Sequence, residues 1–435
     1  MNLPTFNHWW RKGEVNQVLK GKPRKILREI LPYVQRRQII ILKGLRRVGK
    51  TTLLYQIIDH LLKKENVSPY RILYFSFDEE IENFDDITKT YQREVLREDL
   101  LDTKERCYLF FDEIQKYEGW PEKLKILYDL YPHLKIFASG SAALTLTRGV
   151  KESLAGRFFE FEIEPLDFVE YLAFRKCHYE RERINIFKED ILREFDLFLC
   201  NSGYIEMMDE NNPEIIRRYF QQSIMERVIY RDIPEQFTIR DPEILFRILK
   251  IVASQPGMLV EYKSFSSDLN RDQRTISNYF EYLKWSFLVR AVYLFSTNLL
   301  TSEKKLKKHY LACPAFSLAL HGQLSDEFKS KLVENLFVSA LKAKFFFRSL
   351  AKEEVDIILP VHRTLLPIEV KYRKRVKRED LSGLKSFMSR YKSDTGYLLS
   401  YDLEEEHTFS WGKISIVPAW KFLLFCEDYI QRVRS

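Results

Sequence analysis

A chain of 435 residues with 45% hydrophobic and 14% aromatic content is too long for a single core and too apolar to be disordered, so roughly two to four packed domains are expected. A net charge of +8 is too modest to name a partner by itself. Five scattered cysteines (Cys107, Cys177, Cys200, Cys313, Cys426) without C-x-x-C spacing argue against zinc and disulfides, and without a long apolar run or a signal-peptide core a soluble, cytoplasmic protein is expected.

Residues 38–42 (QIIIL) form a β-branched run that reads as a buried strand. Residues 44–51 then spell GLRRVGKT, the pattern G-x-x-x-x-G-K-[ST], and residues 52–58 place apolar side chains at helical spacing. Strand, glycine loop and helix together predict a nucleoside triphosphate site. The glycines let backbone N–H groups turn toward a polyphosphate, and the helix start adds partial positive charge. The expected binding residues are Gly44, Leu45, Arg46, Arg47, Val48, Gly49, Lys50, Thr51 and Thr52. Lys50 would reach the β- and γ-phosphates, and the Thr51 hydroxyl would bind Mg²⁺.

Strands and helices alternate through about the first 165 residues, as in a parallel α/β sheet. Residues 71–76 (RILYFS) and 107–111 (CYLFF) read as the next two strands, the latter ending in Asp112 and Glu113. Two acids at the end of an apolar strand complete an ATPase site, with Asp112 holding Mg²⁺ through water and Glu113 orienting or deprotonating the attacking water. A fourth strand, residues 135–139, leads into Gly140 and Ser141. Ser139 and Ser141 are both candidates for a group that senses the γ-phosphate. Arg157 precedes a fifth strand, residues 158–163. It cannot easily reach its own nucleotide across the sheet and is placed to complete a neighbour's site.

Four segments, GLRRVGKTTLL, FFDEIQ, ASGSAALTL and LAGRFFEFEIEPLDFVEYL, occur together and in order. In this they resemble a family of prokaryotic AAA-type ATPases whose second half carries a winged helix and a restriction-endonuclease-like, PD-(D/E)xK, module. The resemblance runs over nearly the whole chain. It implies an AAA-type fold, ATP and Mg²⁺ as cofactors, the sensor role for Ser141, the trans-acting role for Arg157, and a homo-oligomer with a hexamer as one form.

The expected fold is thus α/β: a P-loop AAA-type core over residues 1–165, then a helical lid over 166–237 in which Arg227 and Arg231 read as an exposed helix face. Residues 262–269, a polar turn and residues 273–283 resemble a helix-turn-helix. Its second helix carries Arg274, Thr275, Ser277 and Asn278 on a polar face suited to a DNA groove, and residues 287–296 supply a β wing. A winged helix over 238–300 would serve DNA or a protein partner equally.

The last part, 301–435, reads as the nuclease-like domain. Residues 354–359 (EVDIIL) and 366–371 (LPIEVK) are two strands, and period-two alternation puts Glu369 and Lys371 on one face with Ile368 and Val370 buried on the other. Asp356 and Glu369 would bind Mg²⁺, Lys371 would steady the attacking hydroxide, and Glu334 would add a carboxylate from the preceding helix. Val355 stands where the family has proline. Two basic runs flank this site: Lys371, Arg373, Lys374, Arg375, Lys377 and Arg378 downstream, and Lys304, Lys305, Lys307 and Lys308 upstream. Together they suggest a track for a phosphate backbone. The leading expectation is an ATPase that remodels or translocates on DNA, which the last domain cuts or merely binds. The alternatives are an ATP-controlled signalling or defence switch and a protein-remodelling machine.

Overall fold

The apolar runs before residue 165 form five strands: β1 (Ile39–Lys43), β2 (Ile72–Ser76), β3 (Cys107–Asp112), β4 (Leu134–Gly140) and β5 (Phe158–Glu162). In this computed structural model, which describes residues 3–78, 83–142, 144, 148–298, 302, 306–322 and 324–432, the strands pair in parallel in the order β2-β3-β4-β1-β5. Every residue of β1 to β4 is buried, as expected of a parallel sheet covered on both faces. Register fixes what meets at the carboxyl edge: Ser76 of β2 pairs with Asp112 of β3, and Ser139 of β4 pairs with Leu42 of β1.

An open strand edge is a liability, and the N-terminal segment covers the edge of β2. The Asn7 side chain accepts from the Tyr74 amide at 2.7 Å and donates to the Tyr74 carbonyl at 2.9 Å. The Trp9 and Trp10 indoles both donate to the Ile72 carbonyl, at 3.2 and 2.9 Å. At the amino end of the central strand β4 the buried Lys135 side chain binds the carbonyls of Tyr33, Arg36 and Gln38, tying the turn before β1 to the start of β4.

The chain divides into two compact units, Met1–Pro165 and Leu166–Ser435. The described residues of the second unit form one nine-stranded sheet: β6 (Met258–Val260), β7 (Val289–Leu294), β8 (Lys307–Leu311), β9 (Phe345–Arg348), β10 (Glu354–Val361), β11 (Thr364–Val370), β12 (Thr395–Ser400), β13 (Glu405–Phe409) and β14 (Gly412–Pro418). Their order is β13-β14-β12-β11-β10-β9-β7-β8-β6. A boundary at residue 300 therefore does not separate two bodies: β8, beyond it, pairs with both β6 and β7 before it. Nor do residues 166–237 stand apart within this unit. Phe168, Tyr171, Phe195 and Phe198 share a core with Phe337, Val370, Tyr397 and Trp420. Among the described residues no helix is long and apolar enough to cross a membrane.

Candidate functional site

The glycine loop starts where β1 stops. A Cβ on Gly44 would collide with the Ile163 carbonyl oxygen, so the loop passes the chain leaving β5 only as glycine. Gly49, at φ 90°, caps the helix Lys50–Lys63 in a conformation that glycine adopts without strain. The Lys50 ammonium donates to the Gly44 and Leu45 carbonyls at 3.2 and 3.0 Å and lies 3.8 Å from Glu113. Arg24, which has no signature in the sequence, straps the loop from outside. Its guanidinium donates to the carbonyls of Val48 (3.1 Å), Glu164 (2.9 Å) and Pro165 (3.2 Å).

Asp112 is the hub of the site. One carboxylate oxygen accepts from the Thr51 hydroxyl at 2.5 Å and from the Tyr74 hydroxyl at 3.0 Å. The other accepts from the Ser139 hydroxyl and from the Glu113 amide. Burial, and then the Asp112 charge, raise the Tyr74 phenol well above its ordinary value, so it remains a proton donor to the carboxylate. A serine or threonine hydroxyl beside a carboxylate is the hard-oxygen donor set that Mg²⁺ takes. With the lysine and the glycine cradle next to it, the site fits a magnesium polyphosphate.

Glu113 leaves β3 in the left-handed region, at φ 50°, a local cost of about 1 kcal/mol for a residue with a Cβ. Its carboxylate accepts from the Gln115 amide at 2.6 Å. Gln115 in turn rests against Gly140, where any Cβ would strike its amide oxygen. Neither Tyr74 nor Gln115 was expected from the sequence. The one sequence signal for either is the position of Gln115 in FFDEIQ, three residues after Asp112.

The two serine candidates differ. Ser139 is fully buried and engaged by Asp112, whereas Ser141 lies partly exposed just past the end of β4. Arg157 is held within its own chain: its Nε and Nη2 donate to the two Asp129 carboxylate oxygens at 3.0 and 3.1 Å. Arg227 and Arg231 are exposed, and Arg231 pairs with Glu235 at 3.0 Å.

The second expected site differs from its prediction. The structure brings Asp356, Glu369, Glu334 and Lys371 together, with the three acids buried and Lys371 partly exposed. Asp356, Glu369 and Glu334 are each only 4% exposed. Alternation puts Glu369 on the face opposite Ile368 and Val370, and apolar clusters cover the sheet on both sides, one around Ile368 and Val370 and one around Val355 and Ile358. A bulge between Val355 and Ile358 shifts the register of β10 beside Asp356.

Nor does the upstream basic run form an exposed track. Lys304 and Lys305 lie outside the described residues, and Lys307 rests over the Tyr293 ring. Lys308 is buried among the carboxylates, 3.1 Å from Asp356 and 3.4 Å from Glu334, and it also pairs with Glu354. Burial works to raise the Asp356 carboxyl, but the charges of Lys308, Lys371 and Lys331 outweigh it and hold the group at about 2. Lys308 thus stands among the expected Mg²⁺ ligands, and among the described residues no group of three or more His, Cys, Asp or Glu side chains is arranged to hold an ion.

Residues 36–172 match the family model described as an AAA domain. Residues 192–327 and 330–422 match two models described as domains of unknown function, DUF8612 and DUF4143. Two uncharacterized proteins of Methanocaldococcus jannaschii are similar along the chain. MJ1544 is 26% identical, with 94% of this chain and 93% of the relative covered, and MJ1637 is 27% identical, with 94% and 88% covered. Among solved structures, Cdc6p from Pyrobaculum aerophilum aligns with 73% of this chain and 99% of its own at 11% identity and a TM-score of 0.30, too distant a likeness to indicate a shared overall architecture. The first unit thus carries an AAA domain on a five-stranded parallel sheet.

Proposed function

We propose that the AAA domain hydrolyses ATP, and that turnover drives remodelling of, or movement along, DNA bound by the second unit. The observation that carries the reading is the meeting of Thr51, Asp112 and Ser139 beside Lys50 at the mouth of the glycine loop. Backbone N–H groups of residues 44–51 hold the phosphates, and Lys50 turns from the loop carbonyls to the β- and γ-phosphates. Thr51 and Asp112 would hold Mg²⁺, which would supply neutralisation of phosphate charge. Glu113 takes the proton of the attacking water, with Gln115 and Lys50 setting its position. Ser141, partly exposed past β4, senses the γ-phosphate. Arg157 exchanges Asp129 for the nucleotide of a neighbouring subunit in a homo-oligomer, of which a hexamer is one form.

Two features support DNA as the partner. From residue 242 to 311 the order is helix, β6, two helices, β7, β8, the order of a winged helix. Arg274 and Asn278 are exposed on its second helix, while the Thr275 hydroxyl is engaged by Asp272, which caps that helix. The loop after β11 then exposes Arg373, Lys374, Arg375, Lys377 and Arg378.

Reversing the charges of Lys374, Arg375 and Lys377 to glutamate is expected to weaken duplex binding and flatten its salt dependence. The slope of log K against log salt should shrink by about 0.9 for each phosphate no longer neutralised. Fluorescence anisotropy over a salt series reads both quantities, and an unchanged slope would remove this loop from the DNA path. The pairing of the buried acids with Lys308 favours a second reading, an ATP-controlled switch whose second unit only binds. Slow turnover indifferent to DNA would select it.

A further inference from the structure

The Lys308 ammonium has three protons to donate, and three carboxylates meet it: Asp356 at 3.1 Å, Glu334 at 3.4 Å, and Glu354. We infer that Lys308 is the resident cation of this nuclease-like centre, taking the position a divalent metal would need, so that the second unit grips a phosphate backbone without cutting it.

The donor set argues for this first. Mg²⁺ would require carboxylate oxygens at about 2.0–2.1 Å in near-octahedral array. The oxygens of Asp356 and Glu334 that would offer them already accept from an ammonium. Two cations sharing those oxygens in a water-poor interior would repel strongly.

The remaining oxygens are also engaged. The Val370 amide donates to the second Asp356 oxygen at 3.1 Å, and the Asp356 amide donates to Glu369 at 3.2 Å. Lys331 takes the second Glu334 oxygen at 2.8 Å, and Lys371 pairs with Glu369. Four carboxyl groups thus face three lysine side chains.

Access argues the same way. Lys308 is 3% exposed. The Tyr310 hydroxyl donates to Glu334 at 2.7 Å, and the Gly257 backbone passes so close that a Cβ there would lie 2.9 Å from Glu334. Lys308 and Tyr310 both belong to β8, so the strand that closes the winged-helix segment also closes this centre.

The experiment counts bound Mn²⁺ by electron paramagnetic resonance in the nucleotide-free, full-length protein, and so does not depend on the ATPase reading. Wild type and Asp356→Asn are expected to bind the same number of ions. Lys308→Met is expected to gain one ion, and Lys308→Met with Asp356→Asn to lose it again. A wild-type Mn²⁺ site that disappears in Asp356→Asn would overturn the inference, as would a folded Lys308→Met that gains no ion. Should Lys308→Met fail to fold, the comparison of wild type with Asp356→Asn decides, with Glu369→Gln as the alternative partner in that comparison.

Discussion

Replacing Lys50 with alanine is expected to lower ATP turnover by at least about 100-fold, the usual loss on removing one preorganised group that stabilises transition-state charge, while the protein melts within a few degrees of wild type. The two halves of this expectation come from the same geometry. The ammonium of Lys50 rests on the Gly44 and Leu45 carbonyls at the start of a helix, the position from which this lysine carries its charge to a polyphosphate. The Gly44 and Leu45 carbonyls it releases are buried, so losing this donor costs about 1–3 kcal/mol, a few degrees of melting temperature in a chain of this size. Phosphate release and a thermal melt measured on the same preparation check it. Hydrolysis at the wild-type rate would mean that the glycine loop is not the site of turnover.

Glu113→Gln is expected to separate binding from chemistry. Glutamine keeps the length of the side chain and an oxygen for the Gln115 amide, now 2.6 Å from the carboxylate, but it cannot accept the proton of water. Loss of a positioned general base costs about 100- to 10,000-fold, and nucleotide affinity should stay within a few-fold of wild type because Lys50, Thr51 and Asp112 are untouched. Equilibrium binding of a fluorescent ATP analogue alongside steady-state turnover separates the two. Turnover that survives would assign the base elsewhere; affinity that collapses would make Glu113 a binding group.

The glycine loop and the acids beside it were legible because they are written in contiguous residues. Residues 44–51 form the loop by themselves, and an apolar strand delivers Asp112 and Glu113 at its end whatever the rest of the chain does. What was not legible is held by partners far apart in sequence. Asn7 meets Tyr74 across 67 residues, and Arg24 reaches Glu164 across 140. Alternation in residues 366–371 showed two faces but could not say that apolar clusters cover both. Two adjacent lysines, Lys307 and Lys308, look alike in a basic run. On a strand they point to opposite sides, and Lys308 turns inward to carboxylates 26 and 48 residues away. Complementary charge of that kind has no local signature.

The most direct test of the account is ATP turnover in Mg²⁺ across titrations of labelled duplex, forked and junction DNA, with strand integrity followed in the same reactions. Turnover that rises with at least one DNA form while every strand stays intact is the expected result. Turnover indifferent to all three would contradict a DNA-directed ATPase.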